Sequence, residues 1–153
     1  MIDFSEHDHG ACTARLAAAT EAACAERGLR LTPLRRRTLE ILAEGHRAMG
    51  AYEVLERLRS DGLAGQPPTV YRALDFLVAQ GFAHRVERLS AFVACAAPGR
   101  DHAPAFLICR SCETVAETPL EPAETGLGDA ARSAGFAMEG ACIEGVGLCP
   151  DCT

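Results

Sequence analysis

The stretch Pro67-Pro68-Thr69-Val70-Tyr71-Arg72-Ala73-Leu74-Asp75-Phe76-Leu77-Val78 decides how this chain folds. Pro67-Pro68-Thr69 interrupts whatever precedes it, because proline lacks an N–H and fixes φ. Val70, Leu74, Leu77 and Val78 then recur at helical spacing as far as Gly81, which predicts a helix with one apolar stripe. Beyond it, residues 83–88 and 91–95 read as two short strands separated by a turn. Upstream, three further helical segments are predicted. One covers about residues 13–27, is rich in alanine and stops at Gly28. The next opens at Thr32-Pro33, a capping residue followed by proline, and runs to Gly45. The third covers about residues 51–59, with Val54, Leu55 and Leu58 on one face and Asp61-Gly62 as its stop. Helices followed by a β-hairpin give the order of a winged helix-turn-helix. In that architecture the last helix enters the DNA major groove and the hairpin forms the wing.

Past the hairpin, Pro98-Gly99-Arg100-Asp101 reads as a linker. Residues 105–109 and 114–118 are predicted strands joined by a turn between Cys109 and Cys112. A helix is expected within 119–134, and a strand over 136–146. The predicted fold class is α+β. A winged-helix DNA-binding domain occupies 1–96, a hinge linker 97–103, and a small α/β dimerisation domain 104–153. A domain of about fifty residues is marginal on hydrophobic burial alone and usually needs a metal, a disulfide or a partner subunit.

Charge is divided along the same line. The net charge of −6 hides ten Arg against seven acidic residues over 28–88, and three Arg against nine over 89–153. Lysine is absent, so every fixed positive side chain is a planar guanidinium. A basic front half and an acidic back half suit one domain facing phosphate and another facing metal. No apolar run approaches the ~20 residues that cross a bilayer, so no membrane partner is expected. The first residues are acidic where a secretory signal would be basic and apolar, which predicts a cytoplasmic protein.

A reducing compartment decides how eight cysteines are read, since stable disulfides are rare there and clustered cysteines bind metal or carry redox chemistry. Cys109-Arg-Ser-Cys112 and Cys149-Pro-Asp-Cys152 each place two thiols in one tight turn. Two such turns complete a tetrahedral four-thiolate zinc site, with no open coordination position and therefore a structural role. A redox dithiol at one pair and an iron–sulfur cluster are the competing readings. The terminal pair also resembles half of a zinc deaminase signature. That signature needs an upstream His-x-Glu, and no histidine here has glutamate two positions on, so no enzyme is expected. Four more donors, His84, Cys95, His102 and Glu117, lie at the start of the first wing strand, the end of the second, the linker, and a strand of the second domain.

At these residues the chain closely resembles the ferric uptake regulator family, and within it the zinc-sensing branch. The resemblance is carried by Arg30-Leu31-Thr32-Pro33 with Arg35, by Ala51-Tyr52-Glu53-Val54-Leu55, by the stretch from Pro67 to Leu77, by Gln80-Gly81-Phe82, and by His84 and the two CxxC pairs in order. It extends over about residues 13–152. It implies a homodimeric, zinc-responsive repressor of zinc uptake genes that binds a palindromic, A·T-rich operator and acts on no small organic substrate. Two zinc ions per chain are implied. A structural ion would sit on Cys109, Cys112, Cys149 and Cys152, and a regulatory ion on His84, Cys95, His102 and Glu117. The soft Cys95 ligand favours zinc over iron or manganese. On the DNA side, Arg72 is expected to pair with a base edge, Thr69 and Tyr71 to bond phosphate, and Tyr52 to approach DNA. Burial of Tyr52 and Tyr71 as core aromatics is the alternative. The run Arg35-Arg36-Arg37 reads equally as phosphate contact or as a solvated helix face. His7 and His9 lie in an N-terminal tail without a match in the family, and Cys12, Cys24 and Cys142 are assigned no role. A zinc-buffering or thiol-redox protein is the rival function, and the Thr69–Arg72 start of the fourth helix speaks against it.

Overall fold

Thr32 stands at a sharp boundary. Its extended backbone and its side-chain oxygen, which accepts from Arg35 N, start the helix that Pro33 begins. The computed structural model describes residues 9–45, 47–63, 65–99, 102–118, 120 and 125–153. Their order is α1 (His9–Glu26), α2 (Pro33–Ala43), α3 (Ala51–Ser60), α4 (Pro67–Ala79), β1 (Ala83–Val86), β2 (Ala91–Ala94), β3 (Ala105–Cys109), β4 (Val115–Thr118), α5 (Gly126–Ser133) and β5 (Ile143–Gly147). They fall into two compact units, one holding α1–α4 with β1 and β2, the other β3–β5 with α5. Among the described residues no helix is long and apolar enough to cross a membrane.

In the first unit, Leu39, Ile41 and Leu42 of α2 pack with Val54, Leu55 and Leu58 of α3 and with Val70, Leu74 and Leu77 of α4. Each helix therefore turns the stripe read from its sequence into the core. Four features depart from the expected ones. First, α1 begins at His9 rather than near residue 13. Second, α4 takes Pro67 and Pro68 into its first turn, where a missing N–H costs nothing because that donor would have no intrahelical partner. Third, the first wing strand ends at Val86 rather than at residue 88. Ser90 adopts a left-handed conformation (φ 48°), its N–H bonds Glu87 O at 3.1 Å, and residues 87–89 wind into a 3-10 turn. Fourth, Met49 and Phe92 exchange two backbone hydrogen bonds of 2.9 Å, so the loop before α3 joins the wing.

In the second unit the sheet order is β4-β3-β5, with β3 antiparallel to β4 and parallel to β5. Ala105, Phe106 and Ile108 of β3 and Val115 and Ala116 of β4 are buried. The strand expected over 136–146 is shorter, because pairing with β3 begins only where Ala105 meets Ile143. Gly135 at φ 65° closes α5, and Phe136 is 68% exposed. Residues 136–142 consequently run without strand structure. Of the earlier readings, His7, the linker residues Arg100 and Asp101, and Pro119 fall outside the described residues, as do residues 121–124.

Candidate metal centres and nucleic-acid interface

The parallel register of β3 and β5 explains how cysteine pairs with 36 residues between them can serve one ion. Cys109 ends β3 opposite Gly147, the last residue of β5, so both chain turns leave the sheet at the same end. After β3 the chain reverses through a turn in which Cys109 N bonds Thr114 O, Glu113 N bonds Cys109 O, and Glu113 takes φ 60°. After β5, Cys149 to Cys152 close a 3-10 turn through Cys152 N and Cys149 O. The four sulfur atoms then lie within 4.8 Å of one another.

The spacing suits a zinc tetrathiolate. Zn–S bonds of about 2.3 Å set S···S edges of roughly 3.8 Å, and Cys112 Sγ stands 3.6 Å from Cys149 Sγ. All four are free thiols. Electrostatics point the same way. Backbone N–H groups of Cys112 and then Cys149 are aimed at the Cys109 sulfur, the second at 3.3 Å, and they hold that thiol down to about 6. Cys112 is lowered chiefly by the Thr114 hydroxyl 3.2 Å away. Cys149 is pushed up to about 12, by burial first and by its neighbouring thiols next. Four thiolates so close cannot all ionise against one another, and a divalent cation removes that conflict.

The other expected donors stand as two pairs, each within one unit. His84, the second residue of β1, and Cys95, just past β2, are almost fully buried. Hairpin register and the Cys95 N to Phe82 O bond of 3.0 Å bring their donor atoms within 4.8 Å. In the second unit His102 Nε2 lies 2.7 Å from Glu117 Oε1, and both side chains are mostly covered. Glu117 is held there by β4, where it faces Phe106 of β3. The nitrogen that bonds Glu117 is one that could ligate a metal in place of its proton. The chain thus holds a cysteine quartet and a His/Cys/Glu donor set, consistent with two zinc ions per chain.

Tyr52 is 66% and Tyr71 44% exposed, so neither is a core aromatic. Tyr71 and Arg72 stand on the solvent side of the first two turns of α4, with Thr69 half-buried beside them. Arg72 Nε makes a long 3.4 Å contact with Pro68 O. The run 35–37 lies on a partly exposed helix face and is engaged in pairs within its own unit. Arg36 pairs with Glu21 and Glu40, Arg37 with Asp61 and Glu44, and Arg35 stacks on Phe76. Pattern reading missed most of these engagements, since sequence spacing shows the Arg36–Glu40 and Arg37–Glu40 neighbours but not the partners Glu21 and Asp61.

Fold and donors together define a winged-helix chain with side chains in both units that could ligate a metal. Residues 26–144 match the ferric uptake regulator family. The zinc uptake regulation protein of Escherichia coli (strain K12) is 40% identical over 92% of this chain and 82% of its own length. A solved zinc uptake regulator complexed with zinc and DNA has 40% identity and a TM-score of 0.84, covering 91% of this chain and 93% of that one. Holo XcZur has 42% identity and a TM-score of 0.80 over 90% of this chain and 96% of its own. The apo form of XcZur matches with 41% identity but a TM-score of 0.54, so that relative takes two shapes. The chain belongs to the ferric uptake regulator family, in its zinc uptake regulator branch.

Proposed function

We propose that this protein is a zinc-responsive, DNA-binding transcriptional repressor of zinc uptake genes, active as a zinc-loaded homodimer. The carrying observation is its 40% identity, over nine-tenths of its length, to a zinc uptake regulator solved with zinc and DNA. It is a regulator and not an enzyme. Cys109, Cys112, Cys149 and Cys152 hold a structural zinc that braces the second domain. His84 and Cys95 from the wing, with His102 and Glu117, hold the regulatory zinc. Zinc supplies the positive charge that lets these donors converge, and the residues do the rest. The wing pair fixes its end of the hairpin, while the His102–Glu117 pair fixes the start of β3 against β4.

The domains run 1–96 and 104–153, joined by a hinge at 97–103. Ligands drawn from both domains make regulatory zinc and operator DNA favour one arrangement of the dimer. Each then tightens the other, by about 5–150-fold for a coupling of ~1–3 kcal/mol. Two shapes for holo and apo XcZur support such a switch. Leu107, Val146 and Leu148 are each about two-fifths exposed, and β5 is a sheet edge, which supports pairing with a second copy. On the DNA side Arg72 reads a base of a palindromic, A·T-rich operator, and Thr69, Tyr71 and Tyr52 set the register on the backbone.

The test pairs zinc stoichiometry with operator affinity in wild type and His84→Ala. The variant keeps one tightly held zinc per chain, loses the exchangeable second, and binds operator more weakly within the range above. Zinc content and zinc-dependent affinity both unchanged would remove His84 from the regulatory site.

A further inference from the structure

Four side chains form a row along the flank of α4. The Arg35 guanidinium lies over the Phe76 ring, 3.7 Å from its centroid. Phe76 meets Phe82 with centroids 6.4 Å apart and planes tilted by 49°. Arg27 lies over Phe82 at 5.5 Å. Both arginines are also tied by hydrogen bonds. Arg35 Nη1 donates to Arg30 O at 2.7 Å, fixing the start of α2 to the chain before it. Arg27 Nη1, just past the end of α1, donates to Gln80 O at 2.9 Å, and Gln80 is the residue that caps α4. The row thus grips the last turn of α4 and the turn into β1 from two other helices.

The row lies one turn of α4 beyond the groove-reading positions and is mechanically joined to them. Phe76 is four residues beyond Arg72, so the two side chains share a face of α4 one turn apart. A small roll of α4 that displaces Phe76 carries Arg72 with it. A guanidinium held over a ring, with one N–H already donated to a carbonyl, is poorly placed to serve a phosphate.

We propose that Arg35 and Arg27 are positioning residues that hold α4 for DNA reading through Phe76 and Phe82, and that neither contacts phosphate. The inference rests on the DNA-binding reading above for its consequence, though not for its geometry. Lysine at either position keeps the charge and loses the flat fork. The measurements are amide hydrogen exchange without DNA, and affinity for operator and for random-sequence DNA over a range of salt. They are made on the full-length zinc-loaded protein and its Arg35→Lys, Arg35→Gln, Arg27→Lys, Phe76→Leu and Arg35→Lys/Phe76→Leu variants.

The expected result is faster exchange over residues 76–82 in each variant, with α3 unaffected. Operator binding weakens by about tenfold, while random-sequence binding and the salt slope stay as in wild type. The double variant falls short of the sum of the two single effects, because the Arg35–Phe76 contact has been removed twice. Wild-type affinity in Arg35→Lys and Arg27→Lys, with an Arg35→Gln salt slope shallower by about one, would identify a phosphate contact and overturn the proposal. Unchanged exchange overturns it whatever the DNA does. A wild type indifferent to operator, with exchange altered in the variants, overturns the regulator reading and leaves the clamp standing.

Discussion

Cys109 receives the N–H groups of two turns that come from opposite ends of the second domain, and its acidity reports that arrangement. Its thiol falls from 9.0 to about 6 on folding, so it adds stability that is complete above 9 and disappears as pH falls through 6. Cys149 is raised to about 12, so its contribution is complete below 9 and fades as pH climbs through 12. Zinc displaces the thiol protons, so its hold on the quartet should weaken as pH falls from 9 to 6. Competition with a chelator over that interval would show this, and zinc retention indifferent to pH would mean that these thiols are not the ligands. At this scale the sequence was informative because ligand chemistry is discrete: CxxC twice, in a chain expected to stay reduced, leaves few readings. It could not reveal that Arg36 and Arg37 are occupied by Glu21 and Asp61, because those partners come from elements that only packing brings near.

Among the elements, α4 was the most legible and the segment before β5 the least, for opposite reasons. The apolar stripe of α4 is repeated over three turns and fully used, with Val70, Leu74 and Leu77 no more than 1% exposed. Residues 136–142 look like a strand because they mix apolar and polar types, but strand structure needs a neighbour, and β3 starts too late to provide one. The legible helix carries the sharpest DNA prediction. Arg72→Lys preserves charge and helix propensity but loses the bidentate fork. Operator affinity should fall about 10–100-fold, with random-sequence binding nearly unchanged. Binding to operators with each guanine replaced in turn checks the assignment. One substitution should be nearly silent in the variant and costly in wild type. If every substitution costs both proteins equally, Arg72 reads no base.

At the scale of the whole molecule the two units are unequal. The principal apolar cluster lies wholly within the first, drawn from α1 to α4 and the wing. The second buries little beyond Ala105, Phe106, Ile108, Val115 and Ala116, with Cys109 and Cys149 as part of the same interior. A core that small does not outweigh the conformational entropy of about fifty ordered residues. Structural zinc in small domains contributes on the order of 10 kcal/mol, and it supplies the missing stability here. Stripping all zinc with a strong chelator should therefore act on the units separately. Residues 105–147 are expected to lose amide protection, while α2–α4 keep theirs, because their core contains no ligand. Re-adding one equivalent of zinc should restore the second unit without restoring operator affinity, and a second equivalent should restore binding. The order matters. If the first equivalent restored DNA binding while the second unit stayed unprotected, the ion would be going first to the His/Cys/Glu donors, and the quartet would not be the site that holds the fold.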